Sequence, residues 1–215
     1  MTVFKRAQDP ISSETHFWGA IFSLVGFIIM IMYAMFQSSS SLIVLSIVVF
    51  GISLILLYSA SSVYHFCSDN KSFKNLLRKI DHSMIYVLIA GTYTPICFGF
   101  MPELEAIKFL SIIWILAIIG IFSKIFWLNA PRTLYTALYL LMGWAIIFDF
   151  QALSTMPTGA FILLIAGGIS YSTGALIYII KKPSLSIKFG FHELFHIFIL
   201  IGTLFHFLCV LLYVI

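Results

Sequence analysis

Apolar residues run in long blocks along this chain, and polar residues gather in short breaks between them. Seven apolar runs stand out, at about 17–36, 42–64, 82–100, 106–128, 133–152, 158–180 and 190–215. A helix needs about 20 residues to cross a hydrocarbon core of about 30 Å, and each run meets that length. The runs are about twice as long as a barrel strand and show no strict alternation, so they predict helices. The breaks hold the turn formers: QSSSS (37–41), SDNKSFKNLLRK (68–79), MPELE (101–105), NAPR (129–132), STMPTG (154–159) and KKPSLSIK (181–188). No internal repeat or low-complexity segment stands out.

Composition sharpens the class. The 215 residues are 61% hydrophobic and 9% charged, with a mean hydropathy of +1.09. A soluble domain carries about a quarter charged residues. The expectation is an all-α integral membrane protein, with residues 1–16 as a cytosolic N-terminal segment and 17–215 as a seven-helix transmembrane domain. The first 16 residues are polar and the run after them is long enough to span, so no cleavable signal peptide is expected.

The charges orient this bundle. Lys5, Arg6, Lys71, Lys74, Arg78, Lys79, Lys124, Arg132, Lys181, Lys182 and Lys188 fall at one end of the runs, and only Lys108 falls at the other. The positive-inside rule then puts the N-terminus in the cytosol and the C-terminus outside. Setting topology is a sufficient role for these residues. The net charge of +4 therefore points to no nucleic acid, and the expected partners are membrane lipids.

Candidate chemistry follows from the same topology. His65 ends the second run, Asp81 precedes the third, and His192 and His196 open the seventh, so all four lie in one layer on the cytosolic side. His192 and His196 are i,i+4, about 40° apart around a helix and about 6 Å along it. That spacing lets two imidazoles share one tetrahedral zinc, and three histidines with an open position make a catalytic type of zinc site. Asp81 would hold a water or orient a ligand. Ser61 is one turn deeper than His65 on the same face. Imidazole ligands without a soft or redox-tuned set favour Zn2+, with iron as the other metal considered.

His192-Glu193-Leu194-Phe195-His196 also reads HExxH, the zinc-protease motif. No stretch resembles the LDG signature that accompanies it in intramembrane proteases, and His65 and Asp81 would be left unexplained. His16, at the start of the first run on the cytosolic side, reads as a plain interfacial residue, with a place bordering the site as the alternative. His82 reads as pointing away from Asp81's face. His206 is about 15 Å deeper than His196 and reads as hydrogen-bonded within the bundle. Asp149 reads as lining a cavity or reaching the outer interface. Gly91 and Pro95 read as packing and kink positions. Cys67, Cys97 and Cys209 form no CxxC pair and read as structural, with Cys67 weighed as a thiolate ligand because it lies two residues after His65.

Four stretches carry a family resemblance: ETHFWGAIFSLVG (14–26), SSVYHF (61–66), DHSMIYVLIAGTYTPI (81–96) and HELFHIFILIGTLFHF (192–207). Together they resemble the bacterial hemolysin III proteins, a branch of the progestin and adipoQ receptor superfamily that also holds the adiponectin receptors. The resemblance spans nearly the whole chain. It implies seven helices with the N-terminus inside, zinc held by His65, His192 and His196, an aspartate at Asp81 that contacts zinc through water, and a serine at Ser61. The long N-terminal region of the animal receptors is missing, so hormone sensing is not implied.

Three functions stay open on these grounds. One is a zinc-dependent hydrolase of ceramide-like lipid amides, with Asp81 and Ser61 as catalytic residues. Another is a membrane-homeostasis or sensor protein with structural zinc. The last is a membrane-permeabilising protein, as the family name says. The expected location is the bacterial cytoplasmic membrane.

Overall fold

The computed structural model describes residues 3–67, 70–186 and 189–215. Ser68, Asp69 and Lys188, which the sequence reading used as turn or topology residues, lie outside them. The described chain is helical, in the order α1 (Pro10–Phe36), α2 (Ser41–Phe66), α3 (Lys71–Phe100), α4 (Glu103–Phe126), α5 (Arg132–Gly143), α6 (Phe150–Thr155), α7 (Thr158–Ile180) and α8 (Phe191–Tyr213). Single 3-10 turns cover Val3–Arg6 and Ala145–Phe148. Six helices are long and apolar enough to cross a membrane: α1, α2, α3, α4, α7 and α8.

The first helix starts at Pro10, before the apolar run begins, because proline at the first helical position has its ring preset and no lost hydrogen bond. Ser40 and Asn70 cap α2 and α3 with their side-chain oxygens.

The fifth apolar run departs from expectation. A single helix over 133–152 was predicted, but the chain breaks after Gly143 and restarts at Phe150. Side chains satisfy the freed backbone groups. The Tyr93 hydroxyl on α3 donates to the Gly143 carbonyl at 2.6 Å and accepts from the Ile146 amide at 3.2 Å. Asp149 restarts the helix by accepting from the Ala152 amide at 2.9 Å. Within an apolar environment a broken backbone persists only with such partners. Asp149 is thus a helix cap.

Helix α3 is the centre of the bundle, packing on α2, α4, α5, α6 and α8, while α1 closes the ring between α2 and α8. It is the most buried and the least apolar of the six long helices. Helices facing lipid need apolar surfaces, whereas a helix enclosed by others can carry Asp81, His82, Thr92 and Thr94. Close packing supports this placement: a Cβ on Gly91 would collide with the Ser53 side chain of α2. The outer surfaces expose Phe22, Met32, Ile112, Ile119 and Leu204, an apolar exterior that suits lipid as the surrounding medium.

Candidate metal centre

Three helix ends meet at one end of the bundle. His65 comes from the last turn of α2, and His192 and His196 come from the first two turns of α8. Each offers one ring nitrogen, and these atoms all lie within 4.8 Å of one another. His65 Nε2 and His192 Nε2 are 3.2 Å apart. Two nitrogens on one tetrahedral zinc, at bonds of about 2.0–2.1 Å, are separated by about 3.3 Å. His196 Nδ1 is buried without a hydrogen-bond partner in the described protein. A buried imidazole nitrogen without a partner is costly. The donor set, its spacing and this orphaned atom all fit a divalent metal ion.

The N-terminal segment backs the cluster. Asp9 Oδ2 lies 3.0 Å from His65 Nδ1. That contact fixes the tautomer and leaves Nε2 free as a ligand, the arrangement common behind metal-bound histidines. The same contact holds the Asp9 carboxyl below the usual carboxylate range. The Asp9 amide donates to the His65 carbonyl at 3.1 Å, and the Gln8 amide to the Phe66 carbonyl at 3.3 Å. Lys74 of α3 completes the strap, donating to Gln8 Oε1 and to the carbonyls of Tyr64 and Cys67.

His16 is buried and its ring stacks on that of His196, with centroids 3.6 Å apart and planes 8° from parallel. It is a wall of the site, not an interfacial anchor. Glu193, the acid of the HExxH string, uses both oxygens elsewhere: Oε1 accepts from Ser12 Oγ and Oε2 from the Gly190 amide, each at 2.9 Å. It caps α8 and ties it to α1. Cys67 is the C-cap of α2 and stands outside the histidine group.

A cavity of about 420 Å³ opens from the histidines into the bundle. His65, His192, His196, Asp81 and Ser61 all line it. Asp81 and Ser61 are buried neighbours at the α2–α3 contact, and His65 and Lys124 line the cavity with them. Asp81 is not among the three grouped ligands. The cavity continues past Leu88, Ile89 and Ile96 to Ile146, Leu164 and His206. His206 Nε2 meets the Leu164 carbonyl at 3.1 Å, the bundle contact expected of it.

Several residues here were not legible as site residues. His82 was read as pointing away, yet it lines the cavity, because the cavity wraps the side of α3 and takes in adjacent positions. Lys124 was read as a topology charge, yet it is 1% exposed and faces the same cavity. The signal was present in SKIFWLNAPR, where a lysine sits inside an apolar run instead of beyond it. For Asp9 the signal was the Asp-Pro pair, which starts α1 early enough to reach α2.

Known proteins resemble this chain along most of its length. Residues 4–207 match the family model described as Haemolysin-III related. The chain is 40% identical over 212 residues to "Hemolysin-3 homolog" of Bacillus subtilis (strain 168), covering 98% of this chain and 96% of that protein. It is 39% identical over 215 residues to "Hemolysin-3" of Bacillus cereus, covering 100% and 94%. With apolar spanning helices and bacterial relatives of matching length, this is a multipass bacterial membrane protein, and it belongs to the haemolysin III family.

Proposed function

We propose that the three-histidine centre holds zinc and that the protein hydrolyses a ceramide-like lipid amide at the cytosolic side of the membrane. The observation that carries this reading is the continuity of the histidine cluster with a long, apolar-walled cavity. A purely structural metal would need no such space beside it. His65, His192 and His196 would be the ligands, and their neutral imidazoles suit zinc. Bound zinc supplies Lewis acidity and lowers the pKa of a coordinated water towards about 7.

The chain's own groups do the rest. Asp81 takes a proton from the attacking water as the water oxygen bonds to the amide carbon. Ser61 donates a hydrogen bond to the carbonyl oxygen as its negative charge develops. Asp81 returns the proton to the leaving nitrogen as the carbon–nitrogen bond breaks, giving a free carboxylic acid and an amine. The apolar reach past Leu88 and Ile96 would take the acyl chain. Asp9 positions His65 without touching the lipid.

In this reading the membrane is crossed seven times, with residues 1–16 in the cytosol and the C-terminus outside. The stretch Arg132–Thr155 makes the fifth crossing in broken form, supported by Tyr93 and Asp149. Membrane lipids are the partners. The capping role of Glu193 weighs against a metalloprotease, since its carboxylate is committed to Ser12 and Gly190. Permeabilisation draws support from the relatives' names alone.

The test is ceramide turnover by purified protein, with metal content measured on the same samples. Asp81→Asn should keep its metal and lose about 100-fold or more in turnover, the usual span for removing a general base. Unchanged turnover in Asp81→Asn, or none in metal-loaded wild type on any acyl amide, contradicts the hydrolase reading.

A further inference from the structure

The cavity has a second polar wall, opposite in character to the histidines. Lys124, near the end of α4, is 1% exposed, and its Nζ approaches His82 Nδ1 at 3.3 Å. It lies over the ring of Tyr135 and near that of Tyr139. Arg78 of α3 and Arg132 of α5 also line the cavity. Arg132 stands over the Tyr178 ring at 4.3 Å and donates to the Tyr178 carbonyl at 3.0 Å.

Among the described residues, no carboxylate lies within 4.0 Å of Lys124, Arg78 or Arg132. Asp81 is the one acidic residue that lines the cavity, against these three cations. A buried ammonium ion whose neighbours are an imidazole and two phenol rings has no carboxylate in ion-pair contact, and Asp81 acts on it only from farther off. Rings and a histidine nitrogen offset part of the cost, and a bound anion would offset the rest.

We propose that the cavity binds an amphiphile with an anionic head, a carboxylate or phosphate, whose charge is held by Lys124 together with Arg78 and Arg132 while its chain lies along the apolar walls. This rests on the cavity being a lipid site, as in the hydrolase reading, but not on the metal or on catalysis. It narrows the ligand class from neutral amides to lipids that carry negative charge beside the acyl chain. Guanidinium groups suit either anion by forked hydrogen bonding, and the lysine acts as a point charge.

Binding of octanoate, octyl phosphate, octanol and inorganic phosphate to the purified full chain in a neutral maltoside detergent tests this. The readout is tryptophan fluorescence, since Trp144 lines the cavity. Octanoate or octyl phosphate should bind about tenfold or more tighter than octanol, the worth of one charge-assisted contact. The tighter of the two identifies the head as carboxylate or phosphate. Inorganic phosphate should bind more weakly than octyl phosphate.

Lys124→Met should bring the two anionic amphiphiles to within about threefold of octanol. Its octanol affinity and its metal content should stay as in wild type, which shows that the variant is folded. Equal binding of octanol and both anions by wild type overturns the proposal without reference to any variant. A preference that survives in a Lys124→Met protein that still binds octanol overturns it as well. Inorganic phosphate binding as tightly as octyl phosphate would make this a free-anion site and also contradict it. Loss of metal in wild type would sink the zinc reading and leave these comparisons intact.

Discussion

The cavity has two polar walls, and they are built on opposite principles. On the α1–α2–α8 wall, three imidazoles bring their ring nitrogens within 4.8 Å of one another, backed by the Asp9 carboxylate. On the α3–α4–α5 wall, a buried ammonium and two guanidinium groups face the cavity, and among the described residues no carboxylate is in contact with them. Clustered ligand nitrogens are an incomplete cation site, and an unpaired buried cation is an incomplete anion site. Asp81 lines the same cavity as both walls. A single pocket that gathers a Lewis acid at one side and a lipid's charge at the other would hold an acyl group across Asp81 and Ser61.

This contrast can be broken from either side. The largest effect is expected on the histidine wall. Asp9→Asn removes the carboxylate that orients His65 and should weaken metal affinity by about 10–100-fold, measured by competition with a chromophoric chelator. Binding of octanoate by the same variant should not change, since Asp9 does not line the cavity. An equal loss of both would mean that the N-terminal strap merely holds the fold, and that the two walls are not separable.

A smaller effect should follow from Glu193→Ala. Glu193 accepts from Ser12 and from the Gly190 amide, so its removal should cost about 0.5–2 kcal/mol of stability through the lost helix cap. A thermal melt in detergent reads this. Metal content and ceramide turnover at a temperature well below the melt should be retained. Abolished turnover in a folded, metal-loaded Glu193→Ala protein would favour the HExxH reading, with Glu193 as the base.

The two walls also differ in how far the sequence reveals them. His65, His192 and His196 are legible because each sits at a helix end, so topology alone puts them in one layer, and i,i+4 spacing puts two on one face. Asp9 is not, because its partner is 56 positions away and the contact exists only when α1 begins at Pro10. Lys124 is hidden by its own type: a lysine near the end of an apolar run satisfies the positive-inside rule whichever way its side chain points. His82 is misjudged because adjacent positions on a helix usually face different surroundings, whereas α3 is enclosed and its cavity spans more than one face.

The fifth run teaches the same lesson for the fold. Its composition is that of a spanning helix, and six other runs form long helices as their hydropathy predicts. The break after Gly143 depends on the Tyr93 hydroxyl of another helix, a contact that no local pattern records. Hydropathy reports how long a segment is apolar. It does not report whether a neighbour will satisfy its backbone.

The central claim is that three histidines from two helices hold one divalent metal ion. Elemental analysis of protein purified without chelators tests it most directly, with His196→Ala prepared in parallel. Wild type should carry about one zinc per chain and His196→Ala almost none, because a site with two imidazoles left has lost a ligand from the three it needs. Metal-free wild type that takes up no zinc on addition, or equal zinc in both proteins, would contradict the account.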